Sequence, residues 1–259
     1  MTSTTRRVNY DLIAHLYDEP GRDYEPDPNL IRFLNEKTLL SLSSVRILDM
    51  GCGTGKQLTA NHGKFPELRT IGLDLFHGML QQAHQRYDTM NWIQGDSVNP
   101  PFLEGSFDYI TNQFSYHHVL NKRRLIAETY RILKPGGQFV ITNLDPWSMG
   151  DWIVYRYFPA SRQRDLADFL TVDQLTSIMQ KTGFCNIHVR CKHSRSEENL
   201  YDFLKYASQR HRTSQLMAIP DDDFLDGITK LKECVGKPGM ESRISSDICI
   251  VWVIGDKQG

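Results

Sequence analysis

Three glycines at 51, 53 and 55 stand directly behind Asp49 and an apolar lead-in of Val45, Ile47 and Leu48. A bend without Cβ atoms lets a ligand lie against bare main chain. The next stretch, Lys56 to Phe65, is polar and reads as the start of a helix, whose N-terminal N–H groups and dipole suit an anionic or polar ligand. Asp74 stands 19 residues beyond Gly55, and a carboxylate there can accept from both hydroxyls of a diol. Asp96 and Ser97 form an acid–hydroxyl pair whose bland reading is a helix cap or turn. Asn112 and Gln113 offer amides. His117 and His118 offer imidazoles, the side chains suited to taking a proton near neutral pH.

These residues need elements to hold them. From residue 45 short apolar runs alternate with longer amphipathic ones, which predicts βαβ units and a parallel sheet. Strands are expected at 45–49, 69–73, 91–94, 107–111, 138–143 and 186–191, with helices around 56–63, 77–87, 119–133 and 172–182. Lys134-Pro135-Gly136-Gly137 reads as a helix stop followed by a turn. Ile248 to Ile254 is almost continuously apolar, as in a strand covered on both faces. About fifty residues separate it from the strand before it; Leu200, Phe203, Leu204 and Ala207, then Leu225, Ile228 and Leu231, repeat at helical spacing there. That insertion is either a structural cap over the sheet edge or a substrate lid. Ahead of the first strand, Tyr10 to Tyr17 and Leu30 to Leu34 suggest two short helices joined by a loop containing Pro20, Gly21, Pro26 and Pro28.

The glycine spacing excludes one reading and favours another. A dinucleotide fingerprint needs Gly-x-Gly-x-x-Gly; counted from Gly51 the third position is Lys56, and counted from Gly53 it is Leu58. Gly-x-Gly-x-Gly preceded by an acid resembles instead the first motif of the class I S-adenosylmethionine-dependent methyltransferases. Asp74, Gly95-Asp96-Ser97 and Leu133-Lys-Pro-Gly-Gly137 resemble later motifs of that family, in the same order. The resemblance implies an α/β, Rossmann-like, seven-stranded, mostly parallel sheet with an antiparallel last strand, a helical N-terminal flap over 1–44, and a methyltransferase domain over 45–259; the helical insertion at 195–240, lid or cap, departs from the hairpin that usually joins the family's last two strands. It implies S-adenosylmethionine as cofactor and S-adenosylhomocysteine as product. The cofactor would be bound by Tyr17, Gly51, Cys52, Gly53, Gly55, Asp74, Leu75, Asp96, Ser97, Asn112 and Gln113. His117 and His118 are the candidate bases, although a His-His pair also recurs in the family without catalytic duty. Trp152 and Arg156, from an aromatic- and arginine-rich stretch, are the candidates for acceptor contact; an ordinary amphipathic helix is the alternative.

Composition narrows the partners. The 259 residues carry a net charge of −1 and are 40% hydrophobic, enough for a full core and without a general attraction for nucleic acid or anionic membrane. Asn112-Gln-Phe-Ser lacks the Asn/Asp-Pro-Pro-aromatic run expected of an amino-methylating DNA enzyme. Five cysteines without a Cys-x-x-Cys pair argue against a zinc site or disulfide framework. No metal is expected. The N-terminal residues show no hydrophobic signal core, so a cytoplasmic monomer or homodimer acting on a small-molecule acceptor is expected, with oxygen, nitrogen and carbon acceptors all open. The alternatives are a nicotinamide-dependent oxidoreductase on a similar sheet and a non-catalytic S-adenosylmethionine-binding module.

Overall fold

Ile47, Leu48 and Met50 are fully buried, which is why this apolar run forms a central strand. In the computed structural model, which describes residues 8–17, 24–37, 41–235 and 243–259, it becomes β1 (Arg46–Met50). The others are β2 (Arg69–Asp74), β3 (Asn91–Gln94), β4 (Phe107–Gln113), β5 (Leu133–Leu144), β6 (Phe184–Asn199) and β7 (Arg243–Lys257). Their order in the sheet is β3-β2-β1-β4-β5-β7-β6. The first five pair in parallel, with Asp49 opposite Gly72 on one side and Thr111 on the other. β7 enters antiparallel between β5 and β6. Because β1 has β2 on one flank and β4 on the other, the chain reverses its direction of travel across the sheet there. Such a switch point opens a crevice at the carboxyl ends of the strands.

The chain divides into two units. The sheet unit comprises Asn9–Asn143, Val172–Arg190 and Val251–Gly259; the other comprises Val8, Leu144–Thr171 and Cys191–Ile250 among the described residues. Within the sheet unit Ile47, Leu48, Tyr109, Ile110, Phe139 and Val140 are buried. Each such side chain contributes about 1.5–3 kcal/mol relative to exposure. Its N-terminal part is a 3-10 turn at Tyr10–Leu12, a short helix at Ala14–Tyr17 and a helix at Pro28–Glu36. Asp27 caps the last of these by accepting from Asn29 N–H, and Pro28 takes the first helical position. Pro20 and Gly21, like residues 1–7 and 38–40 of the expected flap, lie outside the described residues.

The second unit holds helices at Ile153–Tyr157, Pro159–Asp168, Leu200–Ser208, Ser214–Ala218 and Asp221–Val235. Phe158, Leu200, Phe203, Ala207, Leu216, Ile228 and Leu231 form its core. A Cβ on Gly227 would strike the Phe158 ring, so a glycine is needed for that close approach. Arg210 stacks on Phe224, 4.8 Å from the ring centroid, and its Nε donates to Leu216 O at 2.7 Å; the basic Arg210-His211-Arg212 run thus includes a structural clamp.

Several boundaries differ from expectation. The helix placed at 119–133 begins at Lys122, because Tyr116–His118 closes a 3-10 turn and the Asn121 side chain then caps the new helix by accepting from Arg124 N–H. Lys134 to Gly137 is not a free turn: it lies inside β5, whose partner register jumps from Phe107↔Leu133 to Tyr109↔Gln138. Pro135 has no N–H to give the ladder, and Gly136 adopts φ +72°, so the extra residues bulge out. β6 continues past 191 to Asn199, so the insertion's helices begin at Leu200. Leu225 faces outward at 58% exposure; Phe224, Ile228 and Leu231 carry the apolar stripe. Residues 236–240 of the expected insertion lie outside the described residues.

Candidate cofactor site

At the carboxyl end of β1 the chain turns through three left-handed glycines, with φ of +78°, +55° and +77° at Gly51, Gly53 and Gly55, conformations that side-chain-bearing residues resist. Gly51 N–H and Cys52 N–H both donate to Leu73 O, at 2.7 and 3.1 Å, which ties the bend to the end of β2. A side chain on Gly51 would collide with Ser115, and one on Gly55 would collide with the Trp92 indole. At Gly53 a Cβ would meet nothing within 4 Å. That glycine is the one whose missing side chain leaves open space.

Asp74 closes the other side. Its carboxylate accepts from Gly53 N–H at 2.8 Å and from Phe76 N–H at 2.9 Å. Burial raises its pKa, against the opposing pull of those backbone donors. Leu75, next along, is half exposed, and its carbonyl accepts from Gln94 Nε2 at 3.2 Å. Asp96 is exposed; its carboxylate accepts from Val98 N–H at 3.0 Å, which makes an Asx turn after β3. Ser97 beside it is partly buried.

On the β4 side Asn112 is buried and donates through Nδ2 to Met50 O at 2.7 Å; Ser115 Oγ donates to the same carbonyl at 3.1 Å. Asn112 Oδ1 has no hydrogen-bond partner in the polypeptide, and neither has Asp49 Oδ1. Both are buried acceptors, so their isolation is unfavourable unless a ligand donates to them. Burial, then the neighbouring carboxylates of Asp74 and Asp27, push the Asp49 pKa up to about 8. Burial chiefly, aided by Asp74 and Asp49, also raises the Cys52 thiol. This cluster favours a ligand that brings donors and positive charge.

Gln113 points elsewhere: its Nε2 lies 3.5 Å from the Asp27 carboxylate. That carboxylate also accepts from Tyr109 Oη at 2.9 Å, and Asp27 N–H donates to Asn61 Oδ1 at 2.8 Å. This buried network was missed from the sequence, although Asp-Pro at 27–28 is a helix-start signal that could have found its centre.

The two histidines are stacked, with ring centroids 3.8 Å apart. His117 is buried, and Asn143 Nδ2 lies 3.0 Å from its Nδ1. An amide nitrogen only donates, so the ring accepts at Nδ1 and carries its proton on Nε2. Burial, then His118 and Lys122, hold its pKa well below the usual value, and it is neutral at physiological pH. His118 Nε2 is 2.8 Å from Tyr10 Oη. Tyr10 also packs on Tyr17 and Phe76, with centroids 6.0 and 5.4 Å away, while Asp11 accepts from Gly78 N–H at 2.7 Å. The N-terminal turn is thereby fastened to the histidine pair and to the start of the His77–Arg86 helix, and Tyr17 is brought to the same cluster. Trp152 and Arg156 lie in the other unit. Trp152 is a buried core side chain packed edge-on against Tyr155, at 4.9 Å. Arg156 is exposed, 4.0 Å from Asp151.

The family model described as a methyltransferase domain matches residues 48–141, the stretch that runs from within β1 through β4 and most of β5. Over 201 residues the chain is 32% identical to a demethylmenaquinone methyltransferase of Thermotoga maritima, covering 68% of this chain and 86% of that protein. The chain is a class I S-adenosylmethionine-dependent methyltransferase. This methyltransferase is also 31% identical, over 192 residues, to a bifunctional biotin biosynthesis protein of Teredinibacter turnerae, of which it covers 33% and which covers 66% of it. Among solved structures, a methyltransferase from an antibiotic biosynthesis pathway of Anabaena variabilis shares its fold at a TM-score of 0.68, with 20% identity and coverage of 88% of this chain and 97% of the other. Phosphoethanolamine N-methyltransferase 2 of Haemonchus contortus, in complex with S-adenosyl-L-methionine, aligns at 0.61 with 21% identity; the match takes in 98% of this chain and 59% of that one. The cofactor of this methyltransferase is S-adenosylmethionine, and the nicotinamide reading gains no support from these likenesses. The glycine bend and the two partnerless buried acceptors fit a ligand that is cationic, rich in donors and partly flat against main chain.

Proposed function

We propose that this methyltransferase acts on a small-molecule acceptor, holding its cofactor at the carboxyl ends of β1, β2 and β4. In this reading the 51–55 bend cradles the aminoacyl tail, with Asn112 beside it. Asp74 accepts from the ribose hydroxyls, and Asp96 with Ser97 meets the adenine. Asp49, protonated in the cofactor-free chain, would give up its proton to face the cationic end of the ligand. The observation that carries this is the pairing of the open side of Gly53 with the unsatisfied Asp49 Oδ1 and Asn112 Oδ1.

S-adenosylmethionine supplies an activated methyl on a sulfonium, so the protein's task is mainly alignment of the acceptor. His117 is neutral and shielded, with its Nε2 protonated by the bond at Nδ1. His118 shares a hydrogen bond with Tyr10. This pair would position the acceptor, and where the acceptor carries a proton the His118 imidazole would take it as the base. Trp152 and Arg156 remain the candidates for acceptor contact. A small acceptor accords with the demethylmenaquinone in the Thermotoga maritima relative's name and with the small net charge.

Incubation with methyl-labelled cofactor and a fractionated metabolite extract tests the proposal. Label should appear in a low-molecular-weight product, and its position by mass spectrometry reads out oxygen, nitrogen or carbon transfer. Label entering only protein or nucleic acid would refute a small-molecule acceptor.

A further inference from the structure

Two of the five cysteines face each other across neighbouring strands. β6 is the edge strand beside β7, and the two run antiparallel. His193 Nδ1 on β6 lies 2.9 Å from Asp247 Oδ2 on β7. Moving two residues back along β6 and two forward along β7 keeps the same register and sets Cys191 opposite Cys249. Cys191 accordingly lies near enough to Cys249 to act on its thiol.

The kind of pair matters. Asp145 N–H donates to Cys249 O at 2.9 Å, from the β5 side of β7. A residue's N–H and C=O point to the same side of its strand, so Cys249 turns its main-chain groups away from β6. Cys191 and Cys249 are therefore a non-hydrogen-bonded antiparallel pair, the arrangement with Cα atoms about 4.5 Å apart and the closest side chains. That separation falls within the range of roughly 4.4–6.8 Å that a disulfide spans without backbone movement. The partners differ in access: Cys191 is exposed, whereas Cys249 is buried in the core of its unit. Burial chiefly, then Cys191 and Asp145, push the Cys249 thiol up to about 11.

We propose that Cys191 and Cys249 form a reversible disulfide on exposure to a low-molecular-weight disulfide such as glutathione disulfide. The exposed Cys191 thiolate attacks one glutathione sulfur; the bond between the two glutathione sulfurs breaks, and one glutathione thiolate leaves. Cys249 then gives up its proton and displaces the second glutathione from Cys191. Two protein thiols are oxidised and one glutathione disulfide is reduced to two glutathiones. The high pKa of Cys249 slows the second step, and its fixed position against Cys191 offsets that. The bond joins the two strand segments from which the 200–235 helices depart, so it restricts the unfolded chain and raises Tm.

The full chain is treated with glutathione disulfide, denatured, alkylated with iodoacetamide, and digested without reduction for mass spectrometry. A cross-linked peptide pair containing Cys191 and Cys249, two hydrogens lighter than its reduced parts and abolished by dithiothreitol, is expected in monomeric protein. Tm should shift upward in the same sample. In C191S, Cys249 should stay alkylatable and free of glutathione; in C249A, glutathione should persist on Cys191. Stable glutathione on Cys191 of the unsubstituted chain, or alkylation of both thiols, would overturn the proposal. Should C249A fail to fold, the unsubstituted chain and the surface variant C191S decide it alone.

Discussion

Replacing Asp49 by Asn isolates the electrostatic strain stored at the end of β1. In the folded chain this carboxyl, 3% exposed, keeps its proton up to about pH 8, because burial and then the charges of Asp74 and Asp27 disfavour the anion. Unfolded, an aspartate releases its proton near pH 4, at about 3.9. Between those values the folded chain binds a proton that the unfolded chain has lost. Stability therefore falls as pH rises, by about 1.4 kcal/mol per unit, and levels off above about pH 8. At neutral pH the accumulated loss is about 4 kcal/mol in order of magnitude. Asn has the shape of the protonated carboxyl but nothing to ionise. Urea unfolding of both proteins without cofactor should give D49N the higher midpoint at pH 7.5, with a gap of a few kcal/mol that closes toward pH 4.5. The raised carboxyls of Asp27 and Asp74 remain in both proteins, so the difference between the two profiles reports Asp49 together with its coupling to them. Parallel pH profiles for the two proteins would refute this account of Asp49. The same substitution should weaken S-adenosylhomocysteine binding, because the amide cannot supply negative charge to the ligand's ammonium.

Three further outcomes are expected. Asp74→Ala removes the acceptor for Gly53 and Phe76 N–H and for the ribose, and S-adenosylhomocysteine affinity by calorimetry should drop by about 1.5–3 kcal/mol, roughly 10- to 150-fold; unchanged affinity would take Asp74 out of the site. His117→Ala should lower turnover while leaving cofactor affinity near its original value, and a full rate in that variant would make the imidazole a bystander. Tyr109→Phe leaves the buried Asp27 carboxylate one donor short, a loss of about 1–3 kcal/mol in urea unfolding; an unaltered midpoint would mean that the network at 27, 61 and 109 contributes no net stability.

How much of this was legible in the residues depends on the range of the interaction involved. The glycines at 51, 53 and 55 announced a left-handed bend because backbone sterics are local, and all three have positive φ. Strands β1 to β4 could be read from runs of apolar residues, and their order of motifs carried the family and its cofactor. Asp-Pro at 27–28 and Asn121 are caps that a closer reading of helix starts could also have found. Other facts depend on residues far apart in the chain meeting. Asp27 with Tyr109, Asn143 with His117 and Tyr10 with His118 are separated by 82, 26 and 108 residues, and no periodicity announces such pairs. The same holds for the cysteines at 191 and 249, unremarkable in spacing until two strands set them side by side. Lys134 to Gly137 misled for a related reason: proline and glycine signal a break, but whether it becomes a turn or a bulge depends on the hydrogen bonds that neighbouring β4 offers. Local propensity thus determined the bend, the strands and the kind of ligand. Only the tertiary fold decided which acids are buried enough to hold their protons, and that Trp152 and Tyr155 are given over to packing, because burial is a property of the assembled neighbours and not of the residue.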